Sequence, residues 1–326
     1  NLRKSISQWL IKRYSLNPNA IDINKNILPT NGSREALFSS IQAIRSKTGK
    51  GTAIIPNPGY QIYEGATILS GLKPNYINNQ GNGQPNYKSV SDKEWKNCQV
   101  CFICSPNNPT GKFLSLNELS HLIEMANKYD FWLCSDECYS EIFNKKAPIG
   151  LLEASSKLGN PAFKKCIVFQ SLSKRSNVPG LRSGFVAGDS EFIEPFYQYR
   201  TYHGVSMPLP IQIASEIAWS DENHVKKSRS MYREKFSSAE QNLKEQFLVG
   251  IPDGGFFLWL KTPIPCEEFT SRLFGFCGVE VLPGSFLGRE VNGKNPGDNF
   301  VRIALVEDIN SCNDALNRIA VFCKTL

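Results

Sequence analysis

Apolar residues along this chain fall into two alternating textures. From 33 to about 45 a stripe of Ala36, Leu37, Ile41 and Ile44 recurs at helical spacing, after the turn-forming pair Asn31-Gly32. Short apolar runs then alternate with such helical stretches, and 52–55, 99–104, 131–135, 167–170 and 184–187 read as strands. Most of these runs are continuous in apolar character. A continuous run needs burial on both faces, so the pattern predicts an α/β fold, a mostly parallel sheet sandwiched by crossover helices. One of those helices, 116–129, is announced by the capping box Ser115-x-x-Glu118.

The chain opens on an amphipathic run in which Leu2, Ile6, Trp9, Leu10 and Arg13-Tyr14 recur at helical spacing. Because its first residue is Asn, not Met, an N-terminal segment including part of a small domain is expected to precede it. After about Trp219 the texture changes to a long polar helix, 222–246, then Pro252-Asp253-Gly254-Gly255-Phe256-Phe257, short strands and a closing helix. The expected division is a large domain over 1–220 and a smaller α+β C-terminal domain over 221–326. No internal repeat is found, and Gly81-Asn82-Gly83-Gln84-Pro85-Asn86 reads as a surface loop.

Charge narrows the function classes. Lys and Arg number 37 against 30 Asp and Glu, giving +7, but they are scattered and form no basic run. Nucleic-acid binding gains little from that, whereas a basic site for acidic substrates fits. No apolar stretch approaches the length of a membrane span and the N-terminus has no signal-peptide core, so a soluble, cytoplasmic protein is expected. Among ten cysteines, Cys98-x-x-Cys101-x-x-Cys104 has iron–sulfur spacing. On a strand, however, Cys101 should face away from Cys98 and Cys104, and Asn108 stands where a fourth ligand would be. The histidines His121, His203 and His224 show no ligand spacing, so no metal site is expected.

Ligands of open parallel sheets sit beyond the strand C-termini. Three of the predicted strand ends carry polar candidates: Ser105-Pro106-Asn107-Asn108-Pro109-Thr110-Gly111, then Asp136, Glu137 and Tyr139, then Ser171-Leu172-Ser173-Lys174. Arg182 follows eight residues after Lys174, and Phe300-x-Arg302 comes late in the chain. Each has an ordinary alternative, such as a surface lysine or arginine, an Asp or Asn in a turn, or a tyrosine in the core. In this order and combination they resemble the motif set of the class I aminotransferases, pyridoxal-phosphate enzymes of fold type I.

The resemblance implies roles. Lys174 corresponds to the lysine that holds pyridoxal 5'-phosphate as an imine and, once displaced, moves the substrate proton. Asp136 would keep the pyridine nitrogen protonated, so that the ring can absorb electrons. Tyr139 and Asn108 would hold the phenolic oxygen, with Asn108 also near the substrate. Gly32-Ser33-Arg34 at a helix start, with Ser171, Ser173 and Arg182, would receive the phosphate. Tyr60 would stack on the ring, and Arg302 would clamp the substrate α-carboxylate. Glycines in 252–257 and in Pro283-Gly284-Ser285-Phe286-Leu287-Gly288 resemble loops of the small domain that cover the substrate, and could equally be ordinary turns.

Within the class, Thr30-Asn31-Gly32-Ser33-Arg34-Glu35-Ala36-Leu37-Phe38 and Asn57-Pro58-Gly59-Tyr60-Gln61-Ile62-Tyr63-Glu64-Gly65-Ala66 look most like succinyldiaminopimelate aminotransferases of bacterial lysine and cell-wall precursor synthesis. That implies amino-acid and 2-oxo-acid substrates and a homodimer. One departure stands out: the family's tyrosine upstream of the first helix, which reaches the partner's cofactor phosphate, has no counterpart in this chain. Restoring an upstream segment is therefore expected to raise turnover. Rival readings are another class I aminotransferase, a carbon–sulfur lyase sharing the first step, and the cofactor-binding effector domain of a transcription regulator.

Overall fold

The computed structural model describes residues 1–44, 49–81, 83–160, 162–247 and 249–326. The expected helix end at Arg45 and the loop residue Asn82 lie outside the described residues. Seven strands form the main sheet: β1 (Ile27–Thr30), β2 (Thr52–Asn57), β3 (Lys73–Asn78), β4 (Cys98–Cys104), β5 (Trp132–Asp136), β6 (Cys166–Ser171) and β7 (Gly184–Gly188). Their order is β1-β7-β6-β5-β4-β2-β3, and β7 alone runs against its neighbours. The five strands expected from sequence are present within one or two residues. β1 and β3 are additions at the two edges.

Helices cover both faces, as continuous apolar strands require. On one side lie Leu2–Tyr14, Leu116–Tyr129, Leu151–Lys157 and the end of Leu209–Ser220, contributing Trp9, Leu122, Leu151 and Trp219 to a shared core. On the other lie Ser33–Ala43, Ile62–Leu69 and Ser190–His203, contributing Leu37, Tyr63 and Phe192. Leu116–Tyr129 shows why such a helix forms. Ser115 caps it by accepting from the Glu118 amide while Glu118 returns the bond, and Leu119, Leu122, Ile123 and Ala126 make one buried stripe. Each of those leucines contributes about 1.5–3 kcal/mol by leaving water.

The cysteine-bearing strand β4 departs from simple alternation. Cys98 and Cys101 share one core and Cys104 the other, where alternation predicted Cys101 alone opposite the pair. The cause is a β-bulge: Thr52 pairs with Cys98 and Ala53 with Val100, so Gln99 is the extra residue and the facing pattern resets after it. Either way the three thiols do not converge.

A second sheet, β8 (Phe257–Lys261), β9 (Leu282–Pro283) and β10 (Phe300–Ala304), is antiparallel in the order β8-β10-β9. Asn223–Leu243, Cys266–Cys277 and Ile309–Cys323 pack on it through Phe236, Phe269 and Leu316. Among the described residues, no helix is long and apolar enough to cross a membrane.

Candidate active site

The parallel strands β4, β5 and β6 end along one edge, and their last residues or following loops open onto a cleft of about 750 Å³. All but one of the residues to which the resemblance gave a role line that cleft: Ser33, Arg34, Tyr60, Asn108, Asp136, Tyr139, Ser171, Ser173, Lys174, Arg182 and Arg302. The exception, Gly32, lies directly behind the wall. Its φ of +94° suits glycine, and a Cβ there would come within 2.4 Å of the Arg182 guanidinium.

Lys174 stands on the short helix Leu172–Arg175 that leaves β6, half-buried, with Nζ 4.9 Å from the centroid of the Phe256 ring. Burial lowers its pKa from the ordinary lysine value, assisted by the positive fields of Arg302 and Arg34 and opposed by Cys138 and Asp136. The amine is thus biased toward its neutral, nucleophilic form. Its neighbour Arg175 fixes this helix from below: it donates to the Ala218 and Asp221 carbonyls, pairs with Glu222 at 2.6 Å and sits over the Trp9 and Trp219 rings.

Asp136, the last residue of β5, is only 3 % exposed. Tyr63 Oη donates to its Oδ2 at 2.9 Å and the Cys138 amide to its Oδ1 at 3.2 Å. Burial raises its pKa, and those two donors act against the rise. Tyr139, three residues on, packs edge-on against Phe256 and Phe257 with centroids 5.4 and 5.5 Å away.

Arg302 reaches in from β10, its Nη1 donating to Asn108 Oδ1 at 2.9 Å and its guanidinium 4.3 Å from the Phe257 centroid. That bond uses the carbonyl end of Asn108, so the amide NH₂ is the end left to donate. Arg302 Nε is buried with no hydrogen-bond partner among the described residues. Arg34, exposed at the first turn of Ser33–Ala43, donates through Nε to the Tyr60 hydroxyl. Among the described residues, neither arginine forms an ion pair.

The remaining wall is an anion cradle. The helix Ser33–Ala43 has no side-chain cap, which leaves its first amides open. Arg182 lies across that end, donating to the Asn31 carbonyl at 3.0 Å, while the Ser171 and Ser173 hydroxyls meet at 2.9 Å beside it. Close approach there depends on Gly184, where a Cβ would sit 2.5 Å from the Gln170 carbonyl and 3.1 Å from the Ser33 nitrogen.

The sequence profile of the family aminotransferase class I and II matches residues 1–319. This chain belongs to that family. An LL-diaminopimelate aminotransferase of Natranaerobius thermophilus is 30% identical to it over 98% of this chain and 81% of that protein. The crystal structure of an aminotransferase from Neisseria meningitidis superposes with a TM-score of 0.92 at 45% identity, covering 98% of this chain and 82% of the other. A probable N-succinyldiaminopimelate aminotransferase of Thermus thermophilus, at 24% identity and TM-score 0.88 over 98% and 83% of the two chains, shows the same fold.

Aminotransferases of this class use pyridoxal 5'-phosphate. The cleft of this aminotransferase meets the chemical demands of such a group: open helix amides with a fixed guanidinium for a phosphate, a carboxylate for a pyridinium, and an amine for an aldehyde. Sequence reasoning did not assign Tyr63, Cys138, Phe256, Phe257 or Leu287, all of which line the cleft. Leu287 could have been anticipated only in outline, from the Pro283–Gly288 loop. That loop is pinned to the Tyr60 segment: Asn57 exchanges two 2.8 Å hydrogen bonds with the Arg289 backbone, and the Arg289 guanidinium grips both oxygens of Glu64.

Proposed function

We propose that this aminotransferase moves an amino group between N-succinyl-LL-2,6-diaminopimelate and 2-oxoglutarate. The observation that carries the amino-acid part is Arg302, a guanidinium with an orphaned, buried Nε and no acidic partner among the described residues, in the same cleft as Lys174 and Asp136. A half-buried cation left in that state has an unfilled need for an anion, and a planar α-carboxylate fills it bidentately. One of the substrate's two distal carboxylates is assigned to Arg34, which has Nη1 and Nη2 left to donate once Nε is on Tyr60. Diaminopimelate chemistry is supported by the relatives that act on LL-diaminopimelate and by the segments 30–38 and 57–66.

The cofactor supplies an aldehyde that takes up amino groups and a ring that absorbs the electrons left when the α-proton departs. Lys174 binds it and, when freed, takes and returns that proton at Nζ. Asp136 holds a proton on the pyridine nitrogen through its carboxylate. Tyr139 Oη and Asn108 Nδ2 would donate to the phenolic oxygen, and Tyr60 would steady the ring. The amides of Gly32, Ser33 and Arg34, the hydroxyls of Ser171 and Ser173, and Arg182 hold the phosphate. Phe256, Phe257 and Leu287 exclude water from the reacting carbon.

The same reading takes 221–326 as a small domain closing on the cleft, and the enzyme as a cytoplasmic homodimer. An exposed row of Leu209, Ile213 and Ile217 along one helix supports the second copy. A donor panel tests the substrate. With 2-oxoglutarate as acceptor, N-succinyl-LL-diaminopimelate should give the highest kcat/KM for glutamate formation, ahead of unsuccinylated LL-diaminopimelate and aspartate. Preference for either of those, or release of pyruvate, ammonia and a thiol from a β-thioether amino acid without an acceptor, would overturn the assignment.

A further inference from the structure

Asp136 raises a problem that its own position does not solve. A carboxylate that is 3 % exposed is driven toward its neutral form, yet a neutral acid could not hold a positive charge on a pyridine ring. No cation is hydrogen-bonded to Asp136 among the described residues. Its support comes from neutral donors, and each oxygen has its own. The Cys138 amide serves Oδ1, with the Cys138 thiol beside it, while the Tyr63 phenol serves Oδ2 at 2.9 Å.

Tyr63 is built to be a fixed donor. It is fully buried, its ring stacks on Phe102 at 4.9 Å and 19°, and the Tyr60 ring abuts it edge-on at 5.8 Å. Burial and the nearby Asp136 charge push the phenol's pKa well up, so it keeps its proton and serves Asp136 as a donor. The ring cannot turn away without leaving the stack. Its backbone is set in the helix Ile62–Leu69, where Thr67 Oγ1 donates to the Tyr63 carbonyl at 2.7 Å and Ala66 joins the same packed layer.

We propose that Tyr63 is a positioning residue of the active site: its phenol keeps Asp136 ionised and aimed into the cleft, and so maintains the proton on the cofactor's ring nitrogen. The proposal rests on the role assigned to Asp136 above. Removing the phenol leaves Oδ2 without a donor, and the carboxyl then reverts toward the neutral state that burial favours.

Tyr63→Phe deletes one oxygen and keeps the ring stack. Nitrogen NMR of ring-labelled pyridoxal 5'-phosphate bound to the purified protein reads the protonation directly, and titration of apoprotein with cofactor reads affinity. Tyr63→Phe should move the ring-nitrogen resonance toward the unprotonated value and weaken cofactor binding about tenfold, the scale of one hydrogen bond to a charged group. Asp136→Asn separates the two layers of the argument. If it leaves the resonance unmoved, the role of Asp136 itself is wrong. If it moves the resonance while Tyr63→Phe changes neither readout beyond twofold, Tyr63 has no such role. Phe102→Leu removes the stack and keeps the phenol, so it should shift both readouts by clearly less than Tyr63→Phe does. A shift there as large as that of Tyr63→Phe would reduce Tyr63 to packing and overturn the proposal.

Discussion

Asp136 and Glu137 are consecutive, both carboxylates, and both nearly inaccessible at 3 % and 2 % exposure, yet they lie on opposite sides of the sheet and keep different company. Glu137 points into the face covered by the N-terminal helix. There its two oxygens accept from Tyr14 Oη at 2.6 Å, the Leu151 amide at 2.7 Å, Ser135 Oγ at 3.1 Å and Gln170 Nε2 at 3.4 Å. Among the described residues, Asp136 accepts from Tyr63 and Cys138 alone, and it borders the cleft. Burial raises the pKa of both. Burial by itself therefore does not mark a functional acid. What separates them is spare acceptor capacity turned toward an empty volume, set against a carboxylate saturated by its own fold.

The sharpest way to break that contrast is to neutralise each acid in turn. Asp136→Asn should lower turnover on the order of 10²- to 10³-fold, the usual cost of losing one electrostatic contact to a developing charge. Its effect on the apoprotein's stability runs the other way. A carboxyl whose folded pKa lies above its unfolded value contributes stability that is complete below the ordinary carboxylate range and is lost as pH rises through the raised value. Apo Asp136→Asn should therefore gain on the wild type as pH increases, in denaturant melts repeated across pH. Equal pH dependence in the two would place Asp136 outside the buried, charge-strained class.

Glu137→Gln should do the converse. All four of its partners donate, so an amide NH₂ must face at least one donor, and the variant should lose about 1–3 kcal/mol in unfolding. Turnover below the melting transition should stay within a few-fold. A turnover loss matching that of Asp136→Asn would dissolve the distinction. Tyr14→Phe is the mildest probe. It removes one donor to Glu137 and should cost about 1 kcal/mol of stability, leaving the absorption spectrum of bound cofactor unchanged.

Most of the candidate cleft's polar lining was legible in the sequence because those residues follow strand ends in fixed order, where chemistry and chain position coincide. Asp136, Lys174 and Asn108 belong to that set. What escaped had no such signature. β1 is four residues long with a proline, and β3, reading Lys-Pro-Asn-Tyr-Ile-Asn, is an edge strand half open to water, so neither presents a continuous apolar run. The bulge at Gln99 left no mark because apolar residues flank it on both sides and a one-residue slip is invisible in such a run. Tyr63 sits at helical spacing among apolar neighbours, where a tyrosine is ordinarily core, and only the 2.9 Å contact with a residue 73 positions away gives it a role. Glu137 was read as a polar candidate beside Asp136. Strand alternation sends the two side chains to opposite faces, and the helix bearing Tyr14 claims the second.

The central claim is that Lys174 carries the cofactor in the cleft that Asp136 faces. The absorption spectrum of the purified protein with pyridoxal 5'-phosphate tests it, recorded alone, after adding N-succinyl-LL-diaminopimelate, and again after adding 2-oxoglutarate, for wild type and Lys174→Ala. The wild type should show a visible band that the amino donor bleaches and the 2-oxo acid restores. Lys174→Ala should lack the band and turn over on the order of 10²- to 10⁴-fold more slowly. A Lys174→Ala protein with the same band and the same bleaching would contradict the account.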